Sequence, residues 1–238
     1  MAVQKYEPIY QAIKKDITSG KYTFGDILLS ENQYTEIFSC TRNTVRRALA
    51  MLNSEGYVQP IHGKGVQVIY QNKDDNELTI TGLESSKEFS LRNNVETEIE
   101  LKVFRQMIVG NAMHSLTGLP TGNAVYYIET VRHINNVPVC FDTAIYLKSE
   151  VPAISRETAG SSIFEYIENH SDFNIATSIR RVTSEKPEDK DVQYLDLSYD
   201  DILLVSSDQL FNSKGILFGY CQSRYKADSI VLQETVLR

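Results

Sequence analysis

Thr41-Arg42-Asn43-Thr44-Val45-Arg46-Arg47-Ala48-Leu49-Ala50-Met51-Leu52 is the stretch on which the reading of the fold turns. Val45, Ala48, Leu49 and Leu52 fall at i, i+3, i+4 and i+7, the apolar stripe of a helix laid against a core. With Val45 at zero and about 100° per residue, Arg42, Asn43, Arg46 and Arg47 occupy an arc from roughly 60° to 200° on the outer side. Three guanidiniums and a carboxamide therefore share one face of a short helix. A charged face by itself is more often just a solvated one. The flanking sequence makes this one more specific.

Upstream, Ile9, Ile13 and Ile17 recur at i, i+4 and i+8 and predict an amphipathic helix. Gly20 suits the left-handed residue that ends it. Ser30 with Gln33 three residues later forms a capping box, and Tyr34, Ile37 and Phe38 supply a short apolar face behind it. After the break Ser39-Cys40, Thr41 can cap the third helix. Helix, tight break, helix with basic and amide groups near its start is the layout of a helix-turn-helix. Arg can bridge guanine O6 and N7, and Asn adenine N6 and N7. Downstream, Gly56 ends the helix. Tyr57–Pro60 and Val66–Tyr70 read as two strands around Ile61-His62-Gly63-Lys64-Gly65. The hairpin tip carries His62 and Lys64, and its glycines allow backbone to approach a surface closely. Alone it would be an ordinary turn. Directly after a recognition helix it reads as a wing, giving a winged helix-turn-helix.

The whole chain has 238 residues, 42% hydrophobic and 23% charged, with net charge −7. This is ordinary globular composition, enough for two domains, and excludes a disordered or collagen-like chain. No run approaches the roughly 18 apolar residues of a membrane span. The N-terminus lacks the apolar core of a signal peptide. Cys40, Cys140 and Cys221 are scattered and odd in number, which speaks against a disulfide framework or a four-thiolate zinc site and fits a reducing cytoplasm. The acidic average hides an asymmetry. Residues 1–70 carry eight basic against six acidic side chains, and the remainder sixteen against twenty-five. Such a contrast is a cue for two domains with different partners.

We expect a DNA-binding domain over residues 1–70, a polar linker over 71–77 and a second domain over 78–238. In the second domain, Ala124–Ile134 and Val137–Leu147 flank Asn135-Asn136, a pair that tolerates positive φ in a two-residue turn. Ile202–Phe211 and Ile216–Arg224 form a similar pair. Two long hairpins imply an antiparallel sheet, expected to be largely one-faced. Short helices are expected at Ser86–Arg92, at Ile163–Asn169 behind a Ser162–Glu165 capping box, and from Pro187 to Leu195. The fold class is α+β.

No metal-ligand spacing, phosphate-binding loop or nucleophile elbow is present, no cofactor is called for, and Cys140 and Cys221 read as small core residues. Binding has better support. Ser85, Ser86 and Lys87 stand at a helix start, where free amides and the dipole favour an anion. The plainer alternative is that Ser85 caps that helix with Glu88. Arg132, inside an apolar strand, needs an anion, either a ligand or Asp142 across the hairpin.

The order Leu29-Ser30-Glu31, Thr41 to Leu49, Leu52, Glu55-Gly56-Tyr57-Val58 and Gly63-Lys64-Gly65 resembles the DNA-binding domain of the GntR family of bacterial transcription regulators. The likeness covers about residues 5–70, with Leu29 standing where the family usually has Pro. It implies that Arg42, Asn43, Thr44 and Arg46 read bases or phosphates. It assigns His62, Gly63 and Lys64 to the wing, and brings Thr41 and Gln33 near the DNA backbone. Arg47 joins them through its place on the outer helix face. Residues 78–235 resemble the UTRA ligand-sensing domain of the HutC subfamily, through Glu84–Phe89, Val131–Asn136, Asp142–Tyr146, Ser162–Ile167 and Tyr220–Tyr225. That implies a chorismate-lyase-like antiparallel-sheet sensor. By position, Ser85, Ser86, Lys87 and Arg132 would hold an anionic group, and Asp142, Ser162, Gln222 and Tyr225 would bind hydroxyls or amines. Phosphosugar-binding members often have Arg where Thr130 stands and Tyr where Phe164 stands.

The expected function is a cytoplasmic, homodimeric repressor acting on an inverted-repeat operator of a carbohydrate-use operon, responsive to a small metabolite. A sugar phosphate is favoured over a free sugar or organic acid. The competing classes are a lyase-like enzyme carrying a DNA-binding head, and a non-specific architectural DNA binder.

Overall fold

The computed structural model describes residues 6–71 and 78–236. The expected linker, apart from Gln71, lies outside the described residues. The chain divides into two compact units. The first contains the N-terminal part together with residues from Gln233 onward, and the second runs up to Leu232.

The first unit is built on α1 (Glu7–Thr18), α2 (Glu31–Ile37) and α3 (Arg42–Ser54). Ile9, Tyr10, Ile13 and Ile17 of α1 bury against Val45, Ala48, Leu49 and Leu52 of α3, so the two sequence stripes face each other. Ser30 and Gln33 form the expected capping box, and Thr41 Oγ1 accepts the Thr44 amide at 3.4 Å. Ile37 departs from expectation. It is 60% exposed, because Tyr34 and Phe38, whose ring centroids lie 6.2 Å apart, take the inward side of this two-turn helix. Ser39 turns the chain with φ of 48°. At the far end of α3, the Tyr10 hydroxyl and Lys14 Nζ both donate to the Glu55 carboxylate, at 2.7 and 2.9 Å, fastening α1 to the end of α3. The hairpin β1 (Val58–Ile61) and β2 (Gly65–Val68) pairs Ile61 with Gly65 and leaves His62, Gly63 and Lys64 at its tip. Gly63 and Gly65 hold φ of 73° and 108°, which a side chain there would strain.

The second unit opens with β3 (Thr79–Ile80), α4 (Ser86–Asn93), β4 (Thr97–Ile108) and α5 (Asn111–Thr117). It continues through β5 (Ala124–Ile134), β6 (Val137–Leu147), α6 (Arg156–Ala159) and α7 (Ile163–His170). The remaining elements are β7 (Ile175–Glu185), α8 (Asp189–Leu195), β8 (Leu203–Asn212), β9 (Leu217–Lys226) and β10 (Val231–Leu232). Six strands form one antiparallel sheet in the order β4-β5-β6-β9-β8-β7, and β3 pairs with β10 in parallel. The β5–β6 turn uses Asn135 and Asn136, both at positive φ, as their residue type allows.

Two expectations are corrected. The sheet is covered on both faces. Ile128, Tyr146 and Phe218 pack with Ala159 of α6 and Ile167 of α7, while Val131, Phe141, Leu203 and Val205 pack on the other side with Leu195 of α8. The near-continuous apolar runs of β5 and β6 are the signature of such two-sided burial. In addition, Pro187 stands outside α8, whose N-cap is Glu188 in a capping box with Asp191.

Leu52 is fully buried. Leu52→Ala is expected to cost about 2–5 kcal/mol. Hydrogen exchange should register this as lost amide protection across α1–α3.

Candidate functional site

In the first unit, Arg42, Asn43, Arg46 and Arg47 are exposed on α3, and Thr44 is half-buried. The structure gives four of the expected DNA-facing residues a second task. Thr41 caps α3. Gln33 Oε1 accepts the Ser30 amide and hydroxyl at 2.9 and 2.8 Å, closing the cap of α2. Arg47 lays its guanidinium over the Tyr6 ring, 4.2 Å from its centroid. Arg46 donates through Nε to both Glu31 oxygens at 3.0 and 2.9 Å while its side chain stays 63% exposed. Glu31 was not singled out from sequence. His62, Gly63 and Lys64 are exposed at the wing tip.

In the second unit, the face of the sheet covered by α6 and α7 holds a cavity of about 140 Å³. That is close to the ~150 Å³ that admits one six-membered ring. Strand register builds its floor. Thr130, Asp142, Ser223 and Ser206 are paired neighbours across β5, β6, β9 and β8, so their side chains share one face. Two residues along β8, Asp208 pairs with Arg180 of β7. The walls come from the starts of α4 and α7, with Ser85, Ser86 and Ser162, and from Phe89, Tyr146 and Phe164.

Six of the eight expected ligand residues meet at this cavity: Ser85, Ser86, Arg132, Asp142, Ser162 and Tyr225. Lys87 does not. It is exposed and pairs with Glu165 at 3.0 Å, tying α4 to α7. Gln222 does not either. It donates to Ser207 Oγ at 3.1 Å and lines a shallow cleft on the reverse face of the sheet. The reason is strand alternation: Gln222 and Tyr225 are an odd number of residues apart, so they face opposite ways.

Arg132 Nη2 donates to Asp142 Oδ2 at 2.8 Å. Its guanidinium carbon lies 5.9 Å from the ring centroids of both Phe89 and Tyr225. Burial works against the Arg132 charge, but the Asp142 carboxylate beside it prevails and holds the guanidinium protonated. The Asp142 carboxylate also accepts from Ser223 Oγ and from the Cys140 thiol. Both readings of Arg132 therefore have a physical basis, because its Nε remains buried with no partner. Ser162 Oγ is buried and unpartnered as well. The expected Ser162–Glu165 capping box does not form. The Glu165 carboxylate pairs with Lys87, the Ser162 hydroxyl makes no bond to its helix, and Ser162 lines the cavity. Ser85 does cap α4 in a box with Glu88 and still borders the cavity.

Arg180, Ser206, Asp208 and Ser223 also line the cavity and were not read from sequence. A signal existed. Ser206 and Asp208 interrupt the row between Leu204 and Leu210 of β8 as Arg132 interrupts β5, whereas the polar row around Arg180 on β7 carries no such contrast. Cys221 borders the same cavity, with Sγ 3.3 Å from the Tyr146 hydroxyl.

Comparison with known proteins places these units. The model of the UTRA domain matches residues 92–230, and that of bacterial regulatory proteins of the gntR family matches residues 5–68. The HTH-type transcriptional regulator TreR of Bacillus subtilis is 29% identical over 228 residues, spanning 96% of this chain and 95% of that protein. The mannosyl-D-glycerate transport/metabolism system repressor MngR of Escherichia coli is 21% identical over 223 residues, 94% of this chain and 92% of that protein. The crystal structure of the possible transcriptional regulator YydK from B. subtilis superposes with a TM-score of 0.81 at 19% identity, covering 98% of this chain and 99% of that one.

Burial pushes the Cys221 thiol up to about 12, and burial raises Cys140 as well. At pH 8 Cys221 is therefore held as the unreactive thiol. Both should resist iodoacetamide in the native protein and react once it is unfolded, as peptide mass spectrometry would show. Rapid native labelling of Cys221 would contradict this account of its environment.

Proposed function

The chain belongs to the gntR family of bacterial regulatory proteins with a UTRA domain, and from that premise we propose that it is a repressor of a carbohydrate-use operon whose operator affinity is set by a small anionic metabolite. The first unit reads an inverted repeat. Arg42, Asn43, Thr44 and Arg46 enter the major groove, with Arg47, Thr41 and Gln33 beside the backbone and His62, Gly63 and Lys64 on the wing. A homodimer presents two such helices about 34 Å apart, one turn of the duplex. Among the described residues no helix is long and apolar enough to cross a membrane. A cytoplasmic location belongs to the same proposal.

The observation that carries the metabolite reading is the pair of buried orphaned donors, Arg132 Nε and Ser162 Oγ, on two residues that line one cavity. An unmet buried donor costs about 1–3 kcal/mol, and an acceptor-rich ligand would recover that. The starts of α4 and α7 border the same space, with amides that have no partner inside their helices. Donors without acceptors select an anion, and the hydroxyl-rich floor supports a sugar phosphate over a plain organic acid. The cavity carboxylates argue for binding over catalysis. Asp142 is bonded by Arg132, Ser223 and Cys140, and Asp208 by Arg180, Ser178 and Ser206, so both are built into the cavity floor as hydrogen-bond acceptors.

Two measurements test the reading. A thermal-shift panel of sugar phosphates, sugars and organic acids is run on the wild type and on Arg132→Gln. A ligand at 100 times its Kd stabilises by about 2.7 kcal/mol. A sugar phosphate should do so for the wild type and fail on the variant, and a response confined to unphosphorylated compounds would remove the anion assignment. Separately, Arg46→Ala should weaken operator binding at least tenfold in a gel-shift titration without lowering the melting temperature. Unchanged operator affinity would remove Arg46 from the DNA-reading set.

A further inference from the structure

The cavity has a second polar centre away from the orphaned donors. Along β8 the row facing the cavity reads Leu204, Ser206, Asp208, Leu210. It is polar only in its middle, where the cavity lies above it. Asp208 and Ser206 are 6% and 7% exposed. Asp208 Oδ1 accepts Ser178 Oγ at 2.6 Å and Arg180 Nε at 2.8 Å, and Oδ2 accepts Ser206 Oγ at 2.9 Å. A carboxylate offers about four acceptor positions, and three are used. The fourth lies on Oδ2. A core would gain more from apolar side chains here, because taking a carboxylate and a guanidinium out of water is costly unless each keeps its partners.

We infer that Asp208, with Ser206, is a hydroxyl-accepting subsite that restricts the ligand to a polyol phosphate, with Arg180 acting as a positioning residue that holds the carboxylate. The inference rests on the anion-binding reading of the same cavity and adds a requirement at its other end. Two strands and one rung of the sheet separate Asp208 from Asp142, roughly 12 Å between Cα atoms. A ligand anchored beside Arg132 must extend across the floor to reach Asp208. There it must present a hydroxyl that donates. Inorganic phosphate or an alkyl phosphate satisfies only the first end, and the second end then keeps a desolvated acceptor. Sites built to bond a substrate hydroxyl discriminate strongly against analogues that lack it.

The test is calorimetric binding of hexose phosphates and of n-hexyl phosphate to the full chain, as wild type, Asp208→Asn and Ser206→Ala. The wild type should prefer its best sugar phosphate over hexyl phosphate by at least about tenfold. Asp208→Asn should reduce that preference to within about threefold, through loss of sugar phosphate binding while hexyl phosphate binding stays unchanged. Ser206→Ala is the milder variant, should Asp208→Asn fail to fold, and should lower the preference in the same direction. A preference retained in both variants, or equal loss of both ligands, would overturn the subsite and leave Asp208 a structural group. Failure of every phosphate to bind the wild type would instead overturn the anion reading, and the polyol requirement with it.

Discussion

The Arg132–Asp142 ion pair is the contact on which the second unit's design depends. Two charges this far out of water are tolerable only with good geometry and further hydrogen bonds. The structure supplies both: a 2.8 Å contact, two donors from Ser223 and Cys140 on Asp142, and the rings of Phe89 and Tyr225 near the guanidinium. These partners come from β6, β9 and α4, so the pair fixes how three elements meet. It also leaves Arg132 Nε unmatched. A pair meant only to hold the fold would gain from closing that last bond. The polar rung from Thr130 to Ser206 continues the pattern across four strands. The sheet therefore keeps an uncovered polar floor in a unit whose two faces are otherwise packed with apolar side chains.

Much of this was legible in the residues, and the failures follow one logic. Strand-turn-strand pairs around Asn135-Asn136 and around residues 212–215 were visible because their turn chemistry is local. The edge strands β4 and β7 were not, since their burial alternates weakly and several apolar side chains, such as Ile108 and Ile179, face outward. Whether a sheet is covered on one face or both depends on elements distant in sequence, such as α8. The Gln222 expectation failed on information already present, because counting by twos from Tyr225 excludes it. Ser162 shows the opposite case. A local capping pattern was present, but the Ser162 hydroxyl makes no bond to the first turn of its helix, and the Glu165 carboxylate pairs with Lys87 instead of closing the box.

In the first unit, local and global signals agree. The caps at Ser30 and Thr41, the stripes of α1 and α3 and the glycines of the wing all specify one arrangement, and consistency of that kind is what makes a short domain foldable. Among the additions the sequence did not show is Glu31. It sits in the first turn of α2, where the helix dipole favours a carboxylate, and from there it receives Arg46. Both Glu31 contacts are to Nε, on one edge of the guanidinium. An arginine on a long flexible stem is thereby held in one direction before any partner arrives, so less rotamer freedom is lost on binding.

Coupling between a ligand and a distant surface requires an element that both can bias. Here α4 has the right position within its unit. Its first residues border the cavity, and its last turn grips β3: Arg92 Nη1 donates to Thr79 Oγ1 at 2.6 Å, and Asn93 accepts the Thr79 amide at 3.0 Å. Glu84 steadies Arg92 at 2.6 Å from the start of the same helix. The strand β3 pairs with β10, so the points where the chain enters this unit after residue 77 and leaves it after Leu232 lie side by side on one small sheet. A ligand that recruits the start of α4 to its anion acts on a helix whose other end is hydrogen-bonded to that sheet. Under the proposed sensor function, a roughly 5- to 150-fold change in operator affinity corresponds to a coupling of about 1–3 kcal/mol, which the ligand must supply as a difference in affinity between states. Arg132 lies on β5 and Ser162 at the start of α7, so the bonds they make to a ligand bias α4 only where the same ligand also contacts Ser85 and Ser86 at its start.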